Sequence, residues 1–185
     1  MNIRFKHYFA LLSCGTALAL AGCGQPDNID LLGIKPGMTR DEVSSMAPSG
    51  SALYCQGDGD PTFDQVAQLT KSTELKFCTW ASVDSTGNRS RFQLQFDNAT
   101  SSTHSFAFGL DGKLRFFMIE IPGNAYGAIV KSLSNKLGTP QSPVGLPEFI
   151  GGDYWDAKDG TLTASKDDSR SYITILMLQA VAAQR

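Results

Sequence analysis

The chain has 185 residues, with 16 Lys and Arg against 18 Asp and Glu, 42% hydrophobic residues and 18% charged ones. That length is one ordinary domain and excludes a multidomain enzyme, and the apolar content suffices for a core and excludes disorder. Arg4 and Lys6 fall in an expected leader, which leaves 14 basic against 18 acidic side chains, a net charge of −4, so no basic field for nucleic acid exists.

Met1-Asn-Ile-Arg-Phe-Lys-His7 is cationic, and Tyr8 to Leu20 is an apolar run broken by Ser13, Gly15 and Thr16. A run of about thirteen residues suits a secretory signal peptide, whereas a membrane-spanning helix needs about twenty. Leu20-Ala21-Gly22-Cys23 then matches the lipobox of bacterial lipoproteins. Residues 1–22 are therefore expected to be a lipoprotein signal peptide, with Cys23 as the first mature residue and the carrier of a diacylglycerol. Two or three acyl chains, each buried methylene contributing about 0.8 kcal/mol, hold a protein at a membrane where one does not. The alternative is a secreted protein in which Cys23 is a free thiol. Gly24 rather than Asp after the cysteine favours the outer membrane, by resemblance to other bacterial lipoproteins.

Cys14 leaves with the leader and Cys23 takes lipid, so Cys55 and Cys78 remain. In an oxidising envelope they are expected to form one structural disulfide closing a loop of about two dozen residues. The rival, a redox or metal pair, lacks Cys-x-x-Cys spacing and a nearby histidine.

Residues 23–30, the lipidated Cys with the polar stretch after it, read as a tether. Thr39 and Glu42 form a capping box, with Met38 and Val43 placed as a hydrophobic staple, for a helix running to about Met46 and stopping before Pro48. Ser49 to Thr73 reads as a long excursion, with a short helix from Pro61 to Leu69. From Glu74 the period becomes two: Leu75, Phe77, Thr79, Ala81 and Val83 on one face, Cys78 and Trp80 on the other. Asp84 to Asn88 is turn chemistry, and Phe92, Leu94 and Phe96 alternate with Arg91, Gln93 and Gln95 as a second strand.

Ser105 to Leu110 is a third strand, Asp111-Gly112 a hairpin turn, and Lys113 to Ile121 the longest strand. That strand is apolar on both faces around Phe116 to Ile119, which predicts a central position under a helix. Tyr126, Ile129, Val130, Leu133 and Leu137 fall at helical spacing, and Gly138 with Pro140 ends the segment. Asp153 to Ala157, Thr161 to Ser165 and Ser171 to Leu178 are three closing strands. The expected fold class is thus α+β in the order α-β-β-β-β-α-β-β-β: two degenerate helix-plus-antiparallel-meander units, 31–121 and 122–180, within one domain over 31–185.

Gly33 to Val43, with its Gly37-Met-Thr-x-x-Glu-Val43 core, resembles the start of the small outer-membrane lipoprotein family that includes SmpA, OmlA and BamE, whose wider superfamily contains the β-lactamase inhibitor protein. In that family the first helix ends in Gly-x-Pro and a strand carrying Trp or Tyr follows. Here the first helix ends in Ala47-Pro48-Ser49, while the second half supplies Leu137-Gly138-Thr139-Pro140 and then Tyr154-Trp155-Asp156. The resemblance implies an envelope lipoprotein that works by binding protein, either supporting the β-barrel assembly machinery or inhibiting a hydrolase.

Catalytic signals are sparse. His104 is alone between Thr103 and Ser105, no Gly-x-Ser-x-Gly elbow presents a nucleophile, and no phosphate or dinucleotide fingerprint occurs. Asp58-Gly-Asp60 and the run from Asp153 through Asp156 to Asp159 invite a calcium reading but lack the ligand pattern of an EF-hand loop, so turn carboxylates explain them. No catalytic residue, metal or cofactor is expected. Trp80, Tyr154 and Trp155 are the candidate partner-binding residues, because Trp and Tyr are enriched among binding hot spots. The expected function is that of a non-enzymatic accessory lipoprotein on the periplasmic face of the outer membrane, held to the membrane by its N-terminal lipid and bound to an envelope protein. The alternative is an inhibitor or immunity protein against a periplasmic hydrolase or toxin, and the third class is a hydrolase built on scattered carboxylates.

Overall fold

The computed structural model describes residues 26–69, 71–141, 152–167 and 172–180. The expected signal peptide and Cys23 lie outside them. In chain order the elements are α1 (Arg40–Ser45), β1 (Ser51–Cys55), α2 (Pro61–Val66), β2 (Leu75–Val83), β3 (Arg89–Arg91), β4 (Gln95–Phe96), β5 (Ala99–Thr100), β6 (Thr103–Gly109), β7 (Leu114–Pro122), a single 3-10 turn, α3 (Tyr126–Leu137), β8 (Asp153–Asp156), β9 (Gly160–Asp167) and β10 (Tyr172–Gln179).

Eight strands form one antiparallel sheet in the order β1-β2-β6-β7-β10-β9-β8, with β3 paired to β2, and β4 and β5 make a separate two-stranded ribbon. This overturns the expected pair of helix-plus-meander units. β10 runs beside β7 from Tyr172 opposite Pro122 to Leu178 opposite Phe116, so strands from both expected halves share one sheet. The physical reason lies in β7. Its backbone is paired on one side with β6 and on the other with β10, and a strand with both ladders filled cannot be the edge of a separate unit. Of the three α-helices among the described residues, two have six residues each, too short to cover a sheet. The expected excursion from Ser49 contains β1 as well as α2, and the expected strand through Phe92 leaves the ladder after Arg91.

Phe106, Phe117, Ile119, Ile121, Ile173 and Ile175 point to one face of the sheet and are buried. Phe106 and Phe117 stack at 4.5 Å, and Trp80 meets Phe106 edge-on at 4.8 Å. α3 lays Ile129, Leu133 and Leu137 on this face, and its Gly138 end is fixed by the Trp155 Nε1–H, which donates to the Gly138 carbonyl at 2.8 Å. The N-terminal segment closes the rest with Ile29, Leu31, Ile34 and Val43. The Thr39 hydroxyl accepts from the Glu42 N–H at 3.3 Å and the Glu42 carboxylate accepts from the Thr39 N–H at 2.6 Å, which starts α1 where Val43 can dock. On the opposite face α2 packs Phe63 against Tyr54 and Ala81, a second and smaller cluster over β1 and β2.

Cys55 and Cys78 stand opposite each other in the β1–β2 ladder with Cα atoms 3.9 Å apart, joined as a buried disulfide. The outward N–H groups at the two ends of β1 are also engaged: Ser51 donates to the Pro48 carbonyl at 3.0 Å and Cys55 to the Asp58 carboxylate at 2.9 Å. Closure of a loop with sequence separation 23 removes about 3 kcal/mol of unfolded-state entropy. Replacing both cysteines by alanine is expected to lower unfolding free energy in urea by about that amount and to speed hydrogen exchange first in β1. Unchanged stability and unchanged exchange would contradict this role.

Candidate functional site

A sheet has two faces, and α3 and the N-terminal segment serve one. The other carries Phe77, Phe116, Met118, Leu176 and Leu178, which successive registers place side by side: Phe77 and Phe116 flank Ala107, Leu178 faces Phe116, and Leu176 faces Met118. The rings of Phe77 and Phe116 meet at 5.8 Å. The first four are half-buried and Leu178 is 38% exposed, whereas their neighbours on the core face are at 0% to 2%. Among the described residues, α2 is the helix that packs on this face, and it does so at the β1–β2 end.

Hydroxyl side chains continue the same rows: Ser105 before Met118, Thr163 beyond Leu176, Thr161 beyond Leu178. Tyr154 faces Thr163 and Asp156 faces Thr161, and burial together with the charge of Asp156 raises the Tyr154 hydroxyl above its ordinary range. Glu120 lies one row on from Met118, opposite Thr174. Glu120 stands at one end of this face and Asp156 at the other, and basic side chains reach it too: Arg91, opposite Ala81 in the β2–β3 ladder, lies within electrostatic range of Glu120, and Arg115 lies against Gly109. The arrangement is an apolar band between two carboxylates, suited to contact.

The three aromatic residues singled out from sequence fall in different places. Trp80 is 2% exposed and Trp155 1% exposed, both in the core, while Tyr154 stands on the open face. The carboxylates of the calcium reading have local partners. Asp58 accepts from the Cys55 N–H, Asp60 caps α2 and pairs with Arg89 at 2.9 Å, Asp153 accepts from the Tyr126 hydroxyl at 2.8 Å, and Asp159 accepts from the Ile29 N–H at 2.9 Å. Burial, and then Asp153 itself, pushes the Tyr126 hydroxyl up to about 12. Sequence reasoning did not single out Phe116, Met118, Glu120, Leu176 or Leu178 for binding. The signal was the apolarity of both faces in 116–119, repeated in 173–178.

His104 has a structural task. β2 pairs with β6 as far as Cys78 opposite Phe106 and then with β3 from Ala81 opposite Arg91, so the two strands part between. The imidazole fills the parting: its Nε2 accepts from the Trp80 backbone N–H at 3.0 Å, and the Thr79 hydroxyl donates to the His104 carbonyl at 3.0 Å. With Nε2 an acceptor, the neutral ring carries its proton on Nδ1, which has no partner among the described residues. Burial, helped by the positive charge of Arg91, pulls the ring down to about 4.

No family model matches the chain, and neither a curated protein nor a solved structure does.

His104 is thus held neutral in the fold, while in the unfolded chain it titrates near its ordinary 6.5. Its contribution is complete above that value and is lost as pH falls through the window from 6.5 towards 4, because only the unfolded state takes up a proton there. Unfolding free energy is expected to drop by about 3 kcal/mol across this window, and His104→Gln is expected to flatten that part of the profile. Parallel pH profiles for the two proteins would refute the assignment.

Proposed function

We propose that this protein is a lipid-anchored envelope protein that acts by binding another protein through the open face of its sheet. The observation that carries this reading is the apolar band of Phe116, Met118, Leu176 and Leu178 held between Glu120 and Asp156. Contiguous apolar surface with a polar rim is what protein partners bury, and the charges of that rim, Glu120 and Asp156 among them, bias which partner fits. The anchor rests on the lipobox ending in Cys23, and the outer-membrane address on Gly24. The resemblance of Gly37 to Val43 to the SmpA, OmlA and BamE family adds a class of role, an accessory lipoprotein on the periplasmic face. Inhibition of a periplasmic hydrolase is the second reading, favoured by the Cys55–Cys78 bridge, which stiffens the edge beside the α2 segment.

The test is photo-cross-linking in intact envelopes from a probe placed at Met118, at Leu176 and, as a control on the opposite layer, at Lys131. The first two are expected to capture the same protein, and Glu120→Lys with Asp156→Lys is expected to reduce that capture at least tenfold without lowering the melting temperature by more than a few degrees. Equal capture from Lys131, or indifference to the charge reversals, would remove the open face from the function. Recovery of a membrane assembly component supports the accessory role, and recovery of a soluble hydrolase supports the inhibitor.

A further inference from the structure

On the core side, where the N-terminal segment meets β2, lies a cleft of about 320 Å³ lined by Leu32, Met46, Pro48, Trp80, Phe92 and Leu94, with the side chains of Gln93 and Gln95. Its size is at the lower end of small-ligand sites. Six of its eight lining residues are apolar and none is charged, so the guest it fits is an uncharged apolar chain. The buried indole of Trp80 forms its floor, and Leu32 and Met46, 37% and 38% exposed, stand at its mouth.

Leu32 is there against local preference. Leu31 and Ile34 exchange backbone hydrogen bonds of 2.9 and 3.1 Å around a two-residue turn in which Leu32 has φ 59° and Gly33 φ 84°. Such a turn needs two left-handed residues, and Asn-Gly is the usual choice. A leucine in that region is strained, and here the strain sets an apolar side chain at the opening of an apolar cleft.

The occupant follows from the path of the chain. Asp27 pairs with Lys158 and the Ile29 N–H with Asp159, so the described tether begins on the β8–β9 turn. Four residues back is Cys23, a reach of about 14 Å at most, whereas Asp27 and Leu32 are at most about 18 Å apart. An acyl chain adds about 15 Å, half the thickness of a bilayer's hydrocarbon. We infer that the cleft receives one acyl chain of the lipid carried by Cys23 while the protein is in water. This rests on the lipid-anchor reading. A bilayer is as apolar as the cleft and larger, so insertion empties it. The cleft is then a temporary shelter for a group that cannot stay exposed between membranes.

The experiment uses the full chain, lipidated in cells fed a diazirine-bearing fatty acid, then released from the membrane into buffer and irradiated. Mass spectrometry of the N-terminus first establishes whether Cys23 carries acyl groups; a bare cysteine would sink the anchor reading and the shelter with it. With acyl mass present, cross-links are expected in the peptides containing Leu32, Met46 and Phe92, falling at least fivefold in Leu32→Glu and in Met46→Gln. Acylated protein whose cross-links avoid these peptides would overturn the shelter and leave the anchor standing. Equal labelling of the cleft in a Cys23→Ser protein given the free diazirine fatty acid would assign the cleft to free lipid and overturn the inference.

Discussion

The double pairing of β7 governs this structure. With β6 on one side and β10 on the other, every long strand is drawn into one sheet, and the helices must share what that sheet leaves. α3, the longest helix described, with 12 residues, can cover one face. It goes where the isoleucines and the stacked Phe106 and Phe117 lie, because that face buries most apolar area per residue fixed. The described helices thus leave the second face partly covered, and Phe116, Met118 and Leu176 occupy it despite being the kind of residues that cores use.

The same constraint explains the strain beside β2. Pairing with β6 ends at Cys78, yet β2 continues to Val83, held by β1 on its other side and by the disulfide. A parting between two strands leaves backbone groups without partners, and buried ones are costly. His104 supplies an acceptor in place of a ladder carbonyl, β3 takes over the pairing, and the chain through Phe92 and Leu94 folds onto the core side next to Trp80. Open face and cleft thus have separate origins: a face that the described helices cover only at its β1–β2 end, and a forked ladder on the other side.

Much of the local structure was legible. The capping box of Thr39 and Glu42, the turn at Asp111-Gly112 and the helical spacing from Tyr126 to Leu137 are each set by residues a few positions apart, and periodicity reports such relations directly. β1 was hidden because its five residues lie among Gly, Asp and Ser and owe their pairing to β2, more than twenty residues away. The joining of β7 to β10 was hidden for the same reason at greater distance, and with it went the division into two units. Of the binding candidates, Tyr154 and Trp155 show how far alternation reaches: it establishes that they face opposite ways, and only the neighbouring strands decide which way is in.

The engaged ends of β1 carry a further consequence. An edge strand with free N–H and C=O groups invites another chain to add itself as the next strand, in a crowded compartment often a second copy of the same protein. Here the outward N–H groups of Ser51 and Cys55 are taken by Pro48 and Asp58, and at the other edge the Gln141 N–H donates to the Tyr154 carbonyl at 2.7 Å. The ends of β1 and the Tyr154 position of β8 are thus closed to a further strand. Association is thereby steered away from backbone pairing, which is indifferent to sequence, and towards side chains on a face, where the identity of the visitor matters.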